Sequence, residues 1–151
     1  MKIVFLDFDG VINSLIWHKN HYDEWEIKYL ANEQAIQWVS EFCEKYGYKI
    51  VISSTWRYDG LEDCIKYLKG YGLRDDIDII DITPILHGKQ RGDEITEWLN
   101  NHPEVERYLI FDDNSDMTVH MDKLIKTHCH VGFTYKEYKM AEDIEIASVI
   151  G

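Results

Sequence analysis

The sequence predicts an α/β fold, a Rossmann-like three-layer sandwich around a five-stranded parallel sheet, and three observations carry that prediction. Short β-rich apolar runs alternate along the chain with amphipathic helical stretches, the pattern of parallel strands joined by crossover helices. The principal runs are continuous rather than alternating, as expected where both faces of a sheet are covered. The 151 residues, 45% of them hydrophobic, suffice for one ordinary domain and are too few for two.

The first strand is KIVFLDF, residues 2–8. NEQAIQWVSEFCEKYG is a helix: Asn32 suits the N-cap, Ile36, Val39, Cys43 and Tyr46 recur three or four residues apart, and Gly47 suits the stop. YKIVISS, residues 48–54, is a second buried strand. In DGLEDCIKYLKGYG, Asp59 and Glu62 have capping-box spacing while Leu61, Ile65 and Leu68 share one face, which gives a second helix. DIDIIDI, residues 76–82, alternates and is expected at a sheet edge. GDEITEWLNNH places Ile95, Trp98 and Leu99 on one helical stripe, and RYLIFDD, residues 107–113, is the fourth strand. The tail predicts a helix near 117–127, a short strand around HCHVGF and a closing helix in YKEYKMAEDIEIASVI. Residues 13–31, NSLIWHKNHYDEWEIKYLA, form a polar and aromatic insertion whose length marks it as functional or disordered. The chain thus reads as a single domain, 1–151, with a small flap at 13–31.

Composition excludes several classes of function. Lys and Arg total 16 against 28 Asp and Glu, a net charge of −12, which argues against a broad basic surface for gripping nucleic-acid backbones. Cys43, Cys64 and Cys129 are odd in number and never form a CxxC pair, so neither a disulfide framework nor a zinc knuckle is indicated and a reducing cytoplasm fits. The N-terminal apolar run is broken by Asp7 and is too short for a signal peptide or a membrane span. His128 and His130 flank Cys129, but on a strand the cysteine would point away from both histidines, so a metal site there is discounted, as it is for His18 and His21.

Ligands of open parallel sheets sit beyond the carboxyl ends of the strands, near the point where strand order reverses. Asp7 and Asp9 end the first strand, Ser53 and Ser54 the second, Asp112 and Asp113 the fourth, and Lys89 or Arg91 arrives at the start of the following helix. Two carboxylates about 4 Å apart repel by roughly 4 kcal/mol at an effective dielectric near 20, so three or four together require a cation. Oxygen ligands without a nearby His or Cys favour Mg²⁺, which typically combines one or two carboxylates with phosphate oxygens. A phosphoryl substrate is therefore expected, with a basic side chain and a serine hydroxyl neutralising its charge.

At these residues the sequence resembles the haloacid dehalogenase (HAD) superfamily of phosphatases and phosphotransferases, whose first motif is hhhDxDGx(T/V). VFLDFDGVI matches it; IVISS is similar to the second motif, KQRGDEI to the basic third and LIFDDNSD to the acidic fourth. The resemblance implies that Asp7 is the nucleophile forming an aspartyl-phosphate and Asp9 the general acid and later base. It implies Mg²⁺ held by Asp7, the backbone carbonyl of Asp9, Asp112 and Asp113, with Asp116 orienting a metal-bound water. Ser53, with Ser54 as second choice, would bind the phosphoryl oxygens, and the basic residue of the third motif is Arg91 or Lys89. Gly10 would let the backbone turn so that both carboxylates face the substrate.

No domain-sized cap insertion is present, which suits bulky or macromolecular phosphoesters. VISSTWR followed by RGDEITEWL resembles the small HAD domains associated with RNA repair, related in kind to polynucleotide kinase-phosphatases. The expected activity is a Mg²⁺-dependent phosphomonoesterase acting on a phosphorylated small molecule, a nucleotide or a nucleic-acid end, with no obligate protein partner and no membrane association. Trp56 and Arg57, at the active edge, are candidates for substrate contact, with packing the favoured alternative for Trp56; Trp17, Tyr22 and Trp25 in the insertion either stack on a base or sugar or anchor the flap. The competing readings are a catalytically silent HAD-like binding module and a receiver-type signalling domain. A receiver needs its phosphoacceptor after the third strand and a lysine after the fifth, and neither stands out.

Overall fold

The first apolar run forms β1 (Lys2–Leu6) at the centre of a five-stranded, all-parallel sheet. The structure, a computed structural model, describes residues 1–150. β1 lies between β4 (Tyr48–Ile52) and β6 (Arg107–Asp112); β5 (Ile79–Ile82) extends the sheet beyond β4 and β7 (Leu124–Lys126) beyond β6, in the order β5-β4-β1-β6-β7. Strand order therefore reverses at β1, and its carboxyl end is the switch point.

The helices cover both faces. α1 (Glu33–Tyr46) begins where the Asn32 side chain accepts from Ala35 N–H at 3.0 Å and stops at Gly47, whose φ of 73° is left-handed and whose N–H reaches Cys43 C=O. α1, α2 (Leu61–Gly70) and α4 (Tyr135–Ile150) bury Ile36, Val39, Phe42, Leu68 and Tyr138 against Val4, Leu6, Ile50 and Phe111. α3 (Arg91–Asn100) covers the opposite face, where Ile95, Trp98 and Met117 meet Ile3, Phe5, Val51 and Ile110. Phe5 sits edge-on to Trp98 and Tyr108, with centroids 5.5 and 5.8 Å away. Burying one such ring contributes about 1.5–3 kcal/mol.

Four local expectations are corrected. The Asp59–Glu62 capping box is not made: Thr55–Asp59 coil into a 3₁₀ turn, and Gly60 precedes α2 without a side-chain cap. The helix expected near 117–127 is a 3₁₀ segment, Thr118–Lys123, running directly into β7, and HCHVGF is a turn. In that turn Val131 and Gly132 both donate N–H to His128 C=O, and the φ of 77° at Gly132 breaks any extended run. The 13–31 insertion is neither loop nor disordered. It is an antiparallel hairpin of β2 (Asn13–Lys19) and β3 (Trp25–Ala31), closed at its tip by the Asn20 side chain, which accepts from Tyr22 and Glu24 N–H. No helix among the described residues is long and apolar enough to cross a membrane.

Candidate active site

Sheet register dictates which side chains meet. Phe5 pairs with Val51 on one side and Ile110 on the other, and all three face α3. Side chains alternate along a strand, so two residues further on Asp7, Ser53 and Asp112 project toward that same side. Backbone hydrogen bonds hold the row level: Ser53 N–H donates to Leu6 C=O at 2.9 Å and Asp7 N–H to Phe111 C=O at 3.0 Å. α3 delivers Arg91 there as its first residue.

The row gathers charge in a buried place. One carboxylate oxygen each from Asp7, Asp112 and Asp113 lies within 4.8 Å of the others. Arg91 Nη1 stands 3.9 Å from Asp7 Oδ1 and 3.9 Å from Asp112 Oδ2. Asp7 Oδ1 accepts from Phe8 N–H at 2.9 Å, and Asp112 Oδ1 from Asn114 N–H at 3.0 Å. Gly10 is required: its φ is +84°, and a Cβ there would collide with the Asp113 carboxylate. Its carbonyl is held by the Thr127 hydroxyl, which donates at 2.6 Å from the end of β7. The donors are all hard oxygens, a set that suits a divalent cation. The Asp9 side chain belongs to a different cluster, so the side-chain ligands gathered here are the three carboxylates of Asp7, Asp112 and Asp113, and Asp9 is expected at the cation only through its backbone carbonyl.

Asp9 points toward the hairpin. Its Oδ1 accepts from Asn13 Nδ2 at 3.0 Å and from the Trp56 indole N–H at 3.1 Å, while Asn13 Oδ1 accepts from the Tyr67 hydroxyl at 2.5 Å. Trp56, for which substrate contact and packing are the two readings, spends its polar edge on a carboxylate and packs its rings on Phe8 and Tyr67. Arg57 is likewise engaged inside the protein. It is buried, donates to Ser54 C=O at 2.7 Å, and pairs with Glu94 Oε2 at 2.7 Å. Ser54 caps the 3₁₀ turn through Trp56 N–H, and its hydroxyl is a minor influence favouring ionised Asp7.

Of the two basic candidates, Arg91 is the one that stands against the carboxylates. Lys89 is exposed on the rim of a groove of about 270 Å³ that Arg91, Thr55, Tyr58, His87 and Asp116 also line. Asp116 accepts from Gly92 N–H through its carbonyl at 2.9 Å and from Arg91 N–H through Oδ2 at 3.5 Å, fixing the helix start. Two residues not anticipated complete the arrangement. Glu94 is buried, grips Arg57 and the Leu86 N–H through Oε2, and lies 3.6 Å from Arg91 Nε through Oε1. Asn13 is fully buried behind Asp9.

Two donors beside Asp7 have no acceptor: Ser53 Oγ and Arg91 Nη1 are both buried without a hydrogen-bond partner. A buried donor left unsatisfied costs about 1–3 kcal/mol, so such groups at a strand-end site mark a place for an anionic ligand.

Burial is the main cause that raises Asp7, from an ordinary 3.8 to about 7; Arg91 opposes it and Asp113 adds to it. Burial, then Asp7, raise Asp112 to about 9, again against Arg91. The folded protein therefore holds these protons more tightly than the unfolded chain. The stability they contribute is present below about pH 4 and is lost as pH rises through the two folded values. The metal-free protein is expected to melt several degrees lower at about pH 8.5 than at about pH 6, a divalent cation to recover the loss at the higher pH, and Asp112→Asn to shrink the difference. Calorimetric melting of both proteins checks this; an unchanged difference in Asp112→Asn contradicts it.

No curated protein matches the chain. Residues 3–138 match the family described as the HAD domain in Swiss Army Knife RNA repair proteins, a span that takes in every residue of the acidic row, the hairpin and α3. Membership supports a hydrolase-like enzyme in general terms, which accords with an acidic cluster at the carboxyl ends of β1 and β6 and a basic residue opening α3. The chain belongs to this family of HAD domains.

Proposed function

We propose that the protein is a Mg²⁺-dependent phosphomonoesterase working through an aspartyl-phosphate on Asp7, with the phosphorylated end of a nucleic acid as its substrate. The observation that carries the reading is the pair of unpartnered buried donors, Ser53 Oγ and Arg91 Nη1, set beside a carboxylate nucleophile. Each would hydrogen-bond a non-bridging phosphoryl oxygen, and both are fixed before the substrate arrives, as electrostatic stabilisation requires. Asp7, Asp112 and Asp113 would hold Mg²⁺, whose bound charge neutralises the carboxylates and the phosphoryl group together.

Asp7 then supplies an oxygen to phosphorus, and the P–O bond to the leaving group breaks. Asp9 gives its proton to the departing oxygen. In the second half Asp9 takes a proton from water, the hydroxide displaces Asp7 from phosphorus, and inorganic phosphate leaves. Asn13 and Trp56 both donate to Asp9 Oδ1, which leaves Oδ2 as the oxygen free to carry the proton. Glu94 holds the Arg91 guanidinium toward the row. A small hairpin in place of a domain-sized cap suits a macromolecular end, and the family description is of HAD domains in RNA repair proteins. A silent binding module is disfavoured because nucleophile, acid and cation ligands are all present and oriented.

Purified protein is expected to release phosphate from p-nitrophenyl phosphate with Mg²⁺, to stop when EDTA is added and to resume with excess Mg²⁺. Among natural substrates, phosphorylated oligonucleotides are expected to outcompete sugar phosphates by kcat/KM. Undiminished turnover in EDTA contradicts the cation, and a preference for sugar phosphates contradicts the substrate class.

A further inference from the structure

The β2–β3 hairpin displays large apolar side chains to solvent on the face that leads into the active site. Its pairing places Asn13 opposite Ala31, Leu15 opposite Tyr29, Trp17 opposite Ile27 and Lys19 opposite Trp25, so these eight residues share one face. Asn13, at the root of that face, is bonded to Asp9, which fixes the face as the active-site side. Tyr29 lies close enough to the carboxylates that, after burial, Asp113 and Asp9 are the causes that raise its hydroxyl. Further out, Trp17 is 60% exposed, Ile27 50% and Trp25 64%. At the far end Lys19 Nζ sits 5.8 Å from the Trp25 ring centroid. Exposed apolar surface of this density on one side of a two-stranded ribbon marks an interaction surface.

We propose that this face is a stacking platform for the unpaired nucleobases that adjoin the reacting phosphate. Continuity selects the occupant: the face begins at the catalytic Asp9, so what lies on it is covalently joined to the phosphate held at Asp7. Rings stack on any base, which suits an enzyme acting on ends of many sequences. A net charge of −12 argues against a broad basic surface for gripping a backbone, so base stacking is the contact expected to supply affinity. The inference rests on the phosphatase reading above and deepens it by naming single-stranded ends as the substrate.

The test uses Asp7→Asn protein, which holds substrate without turning it over, and short oligoribonucleotides phosphorylated at the 3′ or the 5′ end. Each is compared with an abasic strand of the same length and charge, by fluorescence anisotropy in Mg²⁺. The base-bearing strand is expected to bind about ten-fold tighter or more, the scale of one base–aromatic stack, and Trp17→Ala together with Trp25→Ala to remove most of that advantage. Equal affinity for both strands overturns the proposal, as does an advantage that survives the double substitution. So does a dimer, seen by sedimentation, that the double substitution dissociates, since the face would then be covered by a second copy. Failure of the phosphatase reading is distinct: wild-type protein would release no phosphate from any phosphomonoester, whereas failure here is release without preference for bases.

Discussion

Asp7→Asn is expected to lower Mg²⁺-dependent phosphate release by about 10³-fold or more while leaving the protein folded. The side chain is buried, so the isosteric amide keeps the packing, and it removes a negative charge that burial and Asp113 both oppose. Stability of the metal-free variant near neutral pH should therefore equal or exceed that of the wild type, which separates loss of chemistry from loss of fold. Asp9→Asn is expected to behave differently. It keeps the nucleophile but removes the proton donor, so alkyl phosphates, with poor leaving groups, should slow by about 10²–10⁴-fold and p-nitrophenyl phosphate by much less. Steady-state rates on the two substrate types check the pair. A similar loss on both substrates in Asp9→Asn contradicts its role as acid, and turnover surviving in Asp7→Asn contradicts the nucleophile.

Glu94→Gln carries the second large expectation, this time on stability and rate together. Glu94 and Arg57 form a buried ion pair at 2.7 Å, with Arg91 Nε 3.6 Å from the other carboxylate oxygen. Removing one partner of a buried pair leaves an uncompensated charge and costs about 3–5 kcal/mol. At roughly 2–4 °C per kcal/mol for a domain of this size, the melting temperature should fall by on the order of 10 °C. The amide would also present N–H groups to two guanidinium ions, pushing Arg91 off the phosphoryl position. The expected kinetic signature is a raised KM for phosphate monoesters and a weakened inhibition by inorganic phosphate, beyond any loss of folded protein. Thermal melts and rates measured well below the melting temperature separate the two effects. A melting temperature within about 2 °C of the wild type contradicts the assignment of Glu94 as the clamp.

Much of this architecture was legible in the sequence because burial on both faces of a parallel sheet forces continuous apolar runs. KIVFL, YKIVI and YLIFD are all such runs, and each ends where a polar side chain enters the site. β7 was illegible for a simple reason: a strand of three residues has no periodicity to detect, and the histidines after it sit in a turn. The hairpin carried a signal that its aromatic and charged content masks. Trp25, Ile27 and Tyr29 alternate with Glu26 and Lys28, and Asn20 stands where a turn must form. With much of its face exposed, however, the ribbon lacks the buried stripe that ordinarily identifies a strand.

The candidate site divides in the same way. Asp7, Ser53 and Asp112 could be placed together because each is the last side chain of an apolar run, and register carries them to one row. The choice between Lys89 and Arg91 turns on where α3 begins: Gln90 is the N-cap, so Arg91 is the first helical residue and reaches within 3.9 Å of Asp7 and Asp112, whereas Lys89 precedes the cap. Asn13 and Glu94 were missed as polar residues that act only through others. Glu94 had a trace, since it is a carboxylate on the same stripe as Ile95 and Trp98, where a charge must find a buried partner. Trp56 shows the converse, an aromatic at the active edge whose indole N–H is committed to Asp9.

The account stands on one cation shared by Asp7, Asp112 and Asp113 at the carboxyl ends of β1 and β6. Anomalous scattering from a crystal soaked in Mn²⁺, a stand-in for Mg²⁺, tests it most directly. The expected result is a single strong peak bounded by those three carboxylates, absent from an Asp112→Asn crystal. A peak elsewhere, or one between the three that persists in Asp112→Asn at full occupancy, would contradict it.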